Sequence, residues 1–207
     1  MNETRIRRVR DLVHRLNRER RKQSKKIDIL CNDMVDAHRQ FVRQISSLNF
    51  TVSFYEKAME LRDLSGLLET TINMIENRIE GASVSIFMLG GDSFDIHMSG
   101  SDQPVEPEEA ALESCFTDDV VKEMSRWVHV CSLDEMCHAG LQASPVIMKS
   151  VSAAGIPLGL VGEPFGFILI QRPANYPLVV EELEGVTGIT GALCSAIKSV
   201  RSKQVSN

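Results

Sequence analysis

The sequence predicts an α+β protein, an antiparallel sheet sandwiched by helices and preceded by a long coiled-coil helix. Three observations predict it: a 3,4 spacing of apolar residues that opens the chain, five short runs of strand character, and a second amphipathic stripe that closes it. With 207 residues, 43% of them hydrophobic and 25% charged, the chain has room for one domain and an appendage, and enough apolar material to bury a core.

The opening stripe runs through Ile6, Val9, Val13 and Leu16, then Arg20 and Gln23, then Ile27, Leu30, Met34, Ala37 and Phe41. This is the a/d register of a coiled coil over five heptads. No Gly or Pro occurs before Gly66, so nothing breaks a helix of roughly sixty residues. One helix cannot bury such a stripe alone. The expected partner is a second copy, in a parallel homodimer whose seam is Ile6, Val9, Val13, Leu16, Ile27, Leu30, Met34 and Phe41. Polar Arg20 and Gln23 weaken one layer and fix register. Beyond Phe41 the apolar residues follow Ile45, Leu48, Val52, Tyr55 and Met59, a four-residue slip that unwinds a supercoil locally. There the helix is expected to turn from its twin to its own domain; the alternative is a helix whose rotation carries a signal. Residues 1–48 are therefore read as a basic coiled-coil helix and 49–205 as a compact domain.

Charge divides the chain in the same way. Residues 1–26 hold 11 Lys and Arg against 3 Asp and Glu, net +8, leaving 12 basic and 25 acidic residues elsewhere, net −13 within a total of −5. The run at 15–26 has the charge to hold a polyanion, but it lacks aromatic residues for base stacking and reads as a solvated helix face. Nucleic acid is not an expected partner. No apolar run approaches the ~20 residues of a membrane span, and the N-terminus has no signal-peptide block. Cys31, Cys115, Cys131, Cys137 and Cys194 are odd in number and irregularly spaced, which argues for reduced thiols and a cytoplasmic location.

In the second region Asp63 caps a helix with its stripe at Leu64, Leu68, Ile72, Ile75 and Ile79, stopped by Gly81. Ser83 to Leu89 and Ser93 to Ser99 form a hairpin about Gly90-Gly91-Asp92, the first strand buried on both faces and the second on one. Ser101 to Pro107 is a loop. A helix from Glu108 to Trp127 follows, with a break and a second cap near Thr117. Val128 to Leu133 is a short strand and Asp134 to Lys149 is irregular. Strands at Ser150 to Ala154 and Phe165 to Gln171 flank a turn-rich stretch, and a helix from about Leu178 to Lys203 ends the chain. Gly185, Gly188 and Gly191 inside that helix each cost about 1 kcal/mol relative to Ala, so close packing is expected over them. The first and last helices of this region share one face of the sheet. The other, covered by a short helix and the irregular loop, is expected to hold a cleft.

The run Ser150 to Leu158 (SVSAAGIPL) followed by Gly162 to Ile170 (GEPFGFILI) resembles the strand pair of GAF domains, and Asp63 to Glu69 and Gly81 to Phe87 resemble that family's first helix and strand. The resemblance covers residues 60–203. It implies a GAF-like sheet and a sensor or dimerisation module that pairs through flanking helices. No kinase, cyclase or DNA-binding segment follows Lys203, so any output is expected to pass through a protein signalling partner docked on the helices.

The densest polar group is His129, Cys131, Cys137 and His138, all of zinc-ligand type, but adjacent Cys137-His138 lacks the C-x₂₋₄-C spacing of structural zinc, and no metal is expected. Cys137-His138 also resembles the dipeptide that holds bilin in some GAF domains, without that subfamily's Asp-Ile-Pro segment. The cyclic-nucleotide signature of other GAF domains is missing its Asn, where Val121 precedes Lys122, and its Phe, where Val130 stands before Asp134-Glu135. No cofactor is expected. The reading is a non-enzymatic cytoplasmic signalling module with an unidentified small-molecule ligand in a pocket of His97, Phe116, Trp127, His129, Cys137 and His138. The alternatives are a thiol oxidoreductase using Cys131 and Cys137, like the free methionine sulfoxide reductases built on GAF domains, and a ligand-free coiled-coil scaffold.

Overall fold

A computed structural model of the chain describes residues 3–61, 63–91, 93–101, 103–105, 111–160 and 162–205, and their side chains outside 3–6, 11 and 203–205. The seam side chain of Ile6, the turn residue Asp92, and Pro107 and Glu108 at the loop-to-helix junction lie outside the described residues. The chain divides into two compact units, Met1–Leu48 and Asn49–Asn207.

Helix α1 is Glu3–Glu60. All of its described side chains from Arg7 to Ser46 are exposed. The seam positions Val9, Val13, Leu16, Ile27, Leu30, Met34 and Phe41 are 52–70% exposed, a row of large apolar groups left in water by a lone helix. Among the described residues no helix is long and apolar enough to cross a membrane.

The second unit begins inside α1 and continues through α2 (Leu64–Arg78), β1 (Ser83–Gly90), β2 (Ser93–Met98), a 3-10 turn (Leu112–Cys115), α3 (Asp118–Ser125), β3 (Cys131–Ser132), α4 (Leu133–His138), α5 (Pro145–Ser150), β4 (Val151–Leu160), β5 (Glu163–Pro173) and α6 (Val180–Val205). The five strands form one antiparallel sheet in the order β2-β1-β5-β4-β3. Asp63 caps α2 as its sequence position predicts, its Oδ2 accepting the Gly66 N–H at 2.7 Å. The hairpin turn needs a left-handed residue, supplied by Gly91 at φ 77°.

Strand alternation sends side chains to two cores. On one face Val84 and Ile86 of β1, Ile168 and Ile170 of β5 and Ile156 and Leu158 of β4 meet Leu68, Ile72 and Ile75 of α2 and Val186, Ile189, Leu193 and Ile197 of α6. Phe54 of α1 is buried in the same cluster, with Phe50, Ala58 and Leu61 beside it. On the other face Phe87, Phe167 and Leu169 meet Phe116, Val121, Met124 and Met136. At the start of α6, Arg172 from β5 reaches both carboxylate oxygens of Glu182 at 3.2 and 2.8 Å and the Pro177 carbonyl at 2.6 Å.

Several expectations need correction. The face expected to hold a cleft is filled by the second core, because Phe87, Phe116 and Phe167 occupy it. The helix expected from Glu108 to Trp127 is, over the described residues, a 3-10 turn, an extended Phe116 and the eight-residue α3. Thr117 stands at the N-cap position without a side-chain cap bond. The irregular stretch 134–149 contains two short helices, α4 with a Ser132/Glu135 capping box and α5 with Ser144 as cap and Pro145 in its first turn. The strand expected at Val128 to Leu133 is only Cys131–Ser132, whereas β4 and β5 are longer than expected.

In unit 2, α1 faces its own core through Phe50, Phe54 and Ala58, and Val52, Tyr55 and Met59 stay exposed. The slipped register therefore marks the outer face of the helix and not its turn toward the domain. Gly185 lies where a Cβ would come within 2.6 Å of the Arg78 guanidinium, and Gly188 is close to Thr51, but nothing covers Gly191 within 4 Å. Close packing accounts for Gly185 alone, since a Cβ at Gly188 would make only an ordinary 3.7 Å contact with Thr51 Oγ1.

Gly166 fixes the centre of the sheet. It sits at φ 148° between Met88 and Leu158, and a Cβ there would overlap the Phe87 carbonyl oxygen. Gly166→Ala is expected to destabilise unit 2 by at least about 2 kcal/mol, read as a lower denaturation midpoint in urea with the helical signal of α1 as an internal reference. An unchanged midpoint would show that β1 and β5 tolerate a wider separation.

Candidate functional site

The sheet face opposite α2 and α6 is closed by rings in contact. Phe87 stacks on its cross-strand partner Phe167 with centroids 4.5 Å apart and planes 10° apart, and Phe116 lies 4.8 Å from Phe87 and 5.4 Å from Phe167. Phe94 adds a fourth ring 5.5 Å from Phe87. Gly155 makes room for side chains of this core from β3 and α3, since a Cβ would stand 2.6 Å from Cys131 Sγ and 2.8 Å from Met124 Cε.

One carboxylate interrupts this apolar layer. Glu113, on the 3-10 turn, is 1% exposed. Its Oε1 accepts from Ser85 Oγ at 2.6 Å and from Gln171 Nε2 at 2.8 Å. Its Oε2 is buried with no hydrogen-bond partner among the described residues. A buried acceptor left so costs about 1–3 kcal/mol. Glu113 is also among the residues around a cleft of about 400 Å³ at the β2 edge, with Phe94, Asp95, Ile96, Pro104, Val105, Ser114 and Phe116. Sequence reading missed Glu113 because a lone Glu in a helical pattern looks solvated; the only signal was its position between Leu112 and Phe116.

The six residues expected to form one pocket do not converge. His97 is buried on β2 beside Ile86, on the side away from Phe94 and Ile96. Phe116 belongs to the ring cluster. Trp127 and His129 do come together, stacked at 5.5 Å and 8°, beside a groove of about 730 Å³ that also reaches Pro157, Thr187 and Glu163. Cys137 Sγ lies 4.0 Å from Met148 Sδ, and His138 Nδ1 is 2.7 Å from the Asp134 carbonyl. The neighbours Cys137 and His138 diverge because both lie on α4, where successive residues point about 100° apart. Among the described residues no group of three or more His, Cys, Asp or Glu is placed to hold a metal ion.

The electrostatics separate these groups further. Glu135 caps α4, taking the Ser132 N–H at 2.7 Å, and lies 3.5 Å from His129 Nε2; the Ser132 hydrogen bonds hold its carboxyl below the ordinary range. Cys131 donates its thiol to the Gly155 carbonyl at 3.2 Å, and burial pushes that thiol up to about 11. Burial, with Asp134 nearby, pushes Cys137 up as well. A second groove of about 780 Å³ lies beside Cys131, walled by Leu178 and Leu183.

Burial pushes the His97 imidazole below its ordinary range, against a smaller opposing pull from Asp95. The folded chain then binds fewer protons than the unfolded chain, so this contribution is complete at neutral pH and is lost as pH falls through the ordinary histidine value of about 6.5. His97→Gln is expected to flatten the pH dependence of urea unfolding between about pH 7 and pH 5. The same slope in variant and parent would place the responsible proton elsewhere.

No protein-family model matches the chain, and no curated protein sequence does. Solved structures do match. The GAF domain of a phosphoenolpyruvate-protein phosphotransferase from Coxiella burnetii superposes with a TM-score of 0.58 at 12% identity, over 78% of this chain and 98% of that one. The corresponding domain from Acinetobacter gives 0.56 at 10% identity, over 77% and 97%. The chromophore-binding domain of a bacteriophytochrome from Stigmatella aurantiaca gives 0.53 at 12% identity, over 74% and 60%. At such identities the likeness concerns fold alone. The chain carries the GAF fold.

Proposed function

We propose that the chain is a signalling module that works as a parallel homodimer through α1, senses a small molecule with its GAF-fold unit, and has no catalytic activity of its own. The carrying observation is the row of exposed apolar residues from Val9 to Phe41 at coiled-coil spacing. A second copy is the partner whose complementary row is guaranteed by symmetry. In unit 2 the exposed Val52, Tyr55 and Met59 extend the same logic. A bacteriophytochrome domain with this fold is named for binding a chromophore, which supports a sensing role. Ligand and dimer would be coupled by the ligand's differential affinity for two arrangements of the helices. Output would pass to a protein partner in the cytoplasm.

Sedimentation equilibrium at micromolar concentration is expected to give twice 23.1 kDa. A Leu30→Asp, Met34→Asp variant places two charges in the seam and should weaken association by at least about a hundredfold, with the GAF unit still folded by near-ultraviolet dichroism. A 23.1 kDa species from the unmodified chain would overturn the dimer.

The thiol oxidoreductase reading requires a thiolate at neutral pH. The surroundings of Cys131 and Cys137 act in the opposite direction. With iodoacetamide at about pH 7.5, exposed Cys31 should be alkylated in the folded protein, and buried Cys131 only on unfolding. Rapid native labelling of Cys131 would revive the enzyme.

A further inference from the structure

We propose that the cleft at Glu113 binds a small organic cation, an ammonium or amidinium carried on a flat apolar frame. This rests on the sensing role proposed above and names its ligand class. It does not depend on dimerisation, since every residue involved lies in the second unit.

Glu113 is an acceptor with one oxygen satisfied and one without a donor. Ser85 and Gln171 both serve Oε1, and neither carries a charge. Oε2 meets no hydrogen-bond donor among the described residues. A carboxylate so enclosed is best matched by a donor that also brings positive charge, because charge-assisted hydrogen bonds are the stronger kind. The rest of the cleft sets the ligand's other end. Phe94 and Phe116 offer ring surface, and Pro104, Val105 and Ile96 offer aliphatic walls. Rings beside a carboxylate favour a cation in two ways, through the carboxylate and through the ring quadrupole. About 400 Å³ is room for a body the size of one substituted ring. Oε2 is shielded from solvent, so a cation reaches it only by displacing the side chains that enclose it. An anion or a neutral hydrocarbon of the same shape would leave Oε2 repelled or unserved.

The probe is benzamidine, an amidinium on one aromatic ring, with benzoate as its anionic counterpart. Isothermal titration of the full chain should show benzamidine binding with a dissociation constant below about 1 mM, and no benzoate binding in the same range. Glu113→Gln keeps an acceptor for Ser85 but removes the charge, and should weaken benzamidine by at least about tenfold. Should that variant fail to fold, Phe94→Ala, which removes a partly exposed wall, is expected to weaken the probe and leave the fold intact. A buried water on Oε2 is the competing occupant. It predicts that benzamidine does not bind, and that result overturns the site. Equal binding of benzoate, or equal binding by Glu113→Gln, overturns it too. Loss of this site with sedimentation still reporting a dimer would remove the ligand class and leave the dimeric reading standing. A monomer that binds benzamidine would do the reverse.

Discussion

The close approach of β1 and β5, with Gly166 against the backbone of Phe87, is the constraint on which the second unit depends. Both strands are buried on both faces, so their register decides which side chains enter which core. A slip of one residue would send Phe87 and Phe167 among the helix-facing isoleucines and leave Ile86 and Ile168 opposite α3. Two cores on one sheet also explain the glycine itself. A strand flanked by neighbours on each side and by side chains above and below has nowhere to move when an atom is added.

This arrangement moves the interesting chemistry to the rim. The ring cluster fills the middle of the face opposite α2 and α6, and what is open lies along the edges: beside β2 at Glu113, and beside β4 at Trp127 and at Cys131. Sheet edges are where backbone groups and side chains lack a next neighbour. The Cys and His residues that look dense in sequence are spread over β3, α4 and the segment before them, each with its own local partner. Their thiols are buried or half-buried and shifted away from reactivity.

The elements were legible wherever a single periodicity ruled. The 3,4 spacing gave α1, α2 and α6, and alternation gave the β1–β2 hairpin. Legibility failed where two signals shared one stretch. Residues 132–149 carry a capping box at Ser132 and Glu135 and a Ser-Pro start at Ser144, both readable by rule, yet the helices they begin are too short for periodicity to show. Between Phe41 and Met59 the helix carries two apolar stripes. The exposed one is the longer, so a register search finds it first, and the core-facing pair at i, i+4, half-buried Phe50 and buried Phe54, goes unread. The site was less legible than the fold. Burial of Glu113 depends on Ser85 and Gln171, 28 and 58 residues away, and no local pattern encodes that.

The doubled stripe has a mechanical consequence inside the second unit. Phe54 is buried in the core that α2 and α6 share, and Tyr55 is its neighbour on the exposed side of the same helical turn. An α-helix transmits rotation about its axis because its hydrogen bonds fix each residue to the next turn. Packed cores change by discrete rearrangement and not by gradual compression. Any shift of the first core that re-seats Phe54 must therefore re-aim Val52, Tyr55 and Met59 together. The outward face of α1 in the second unit is thus tied to the core through backbone geometry alone.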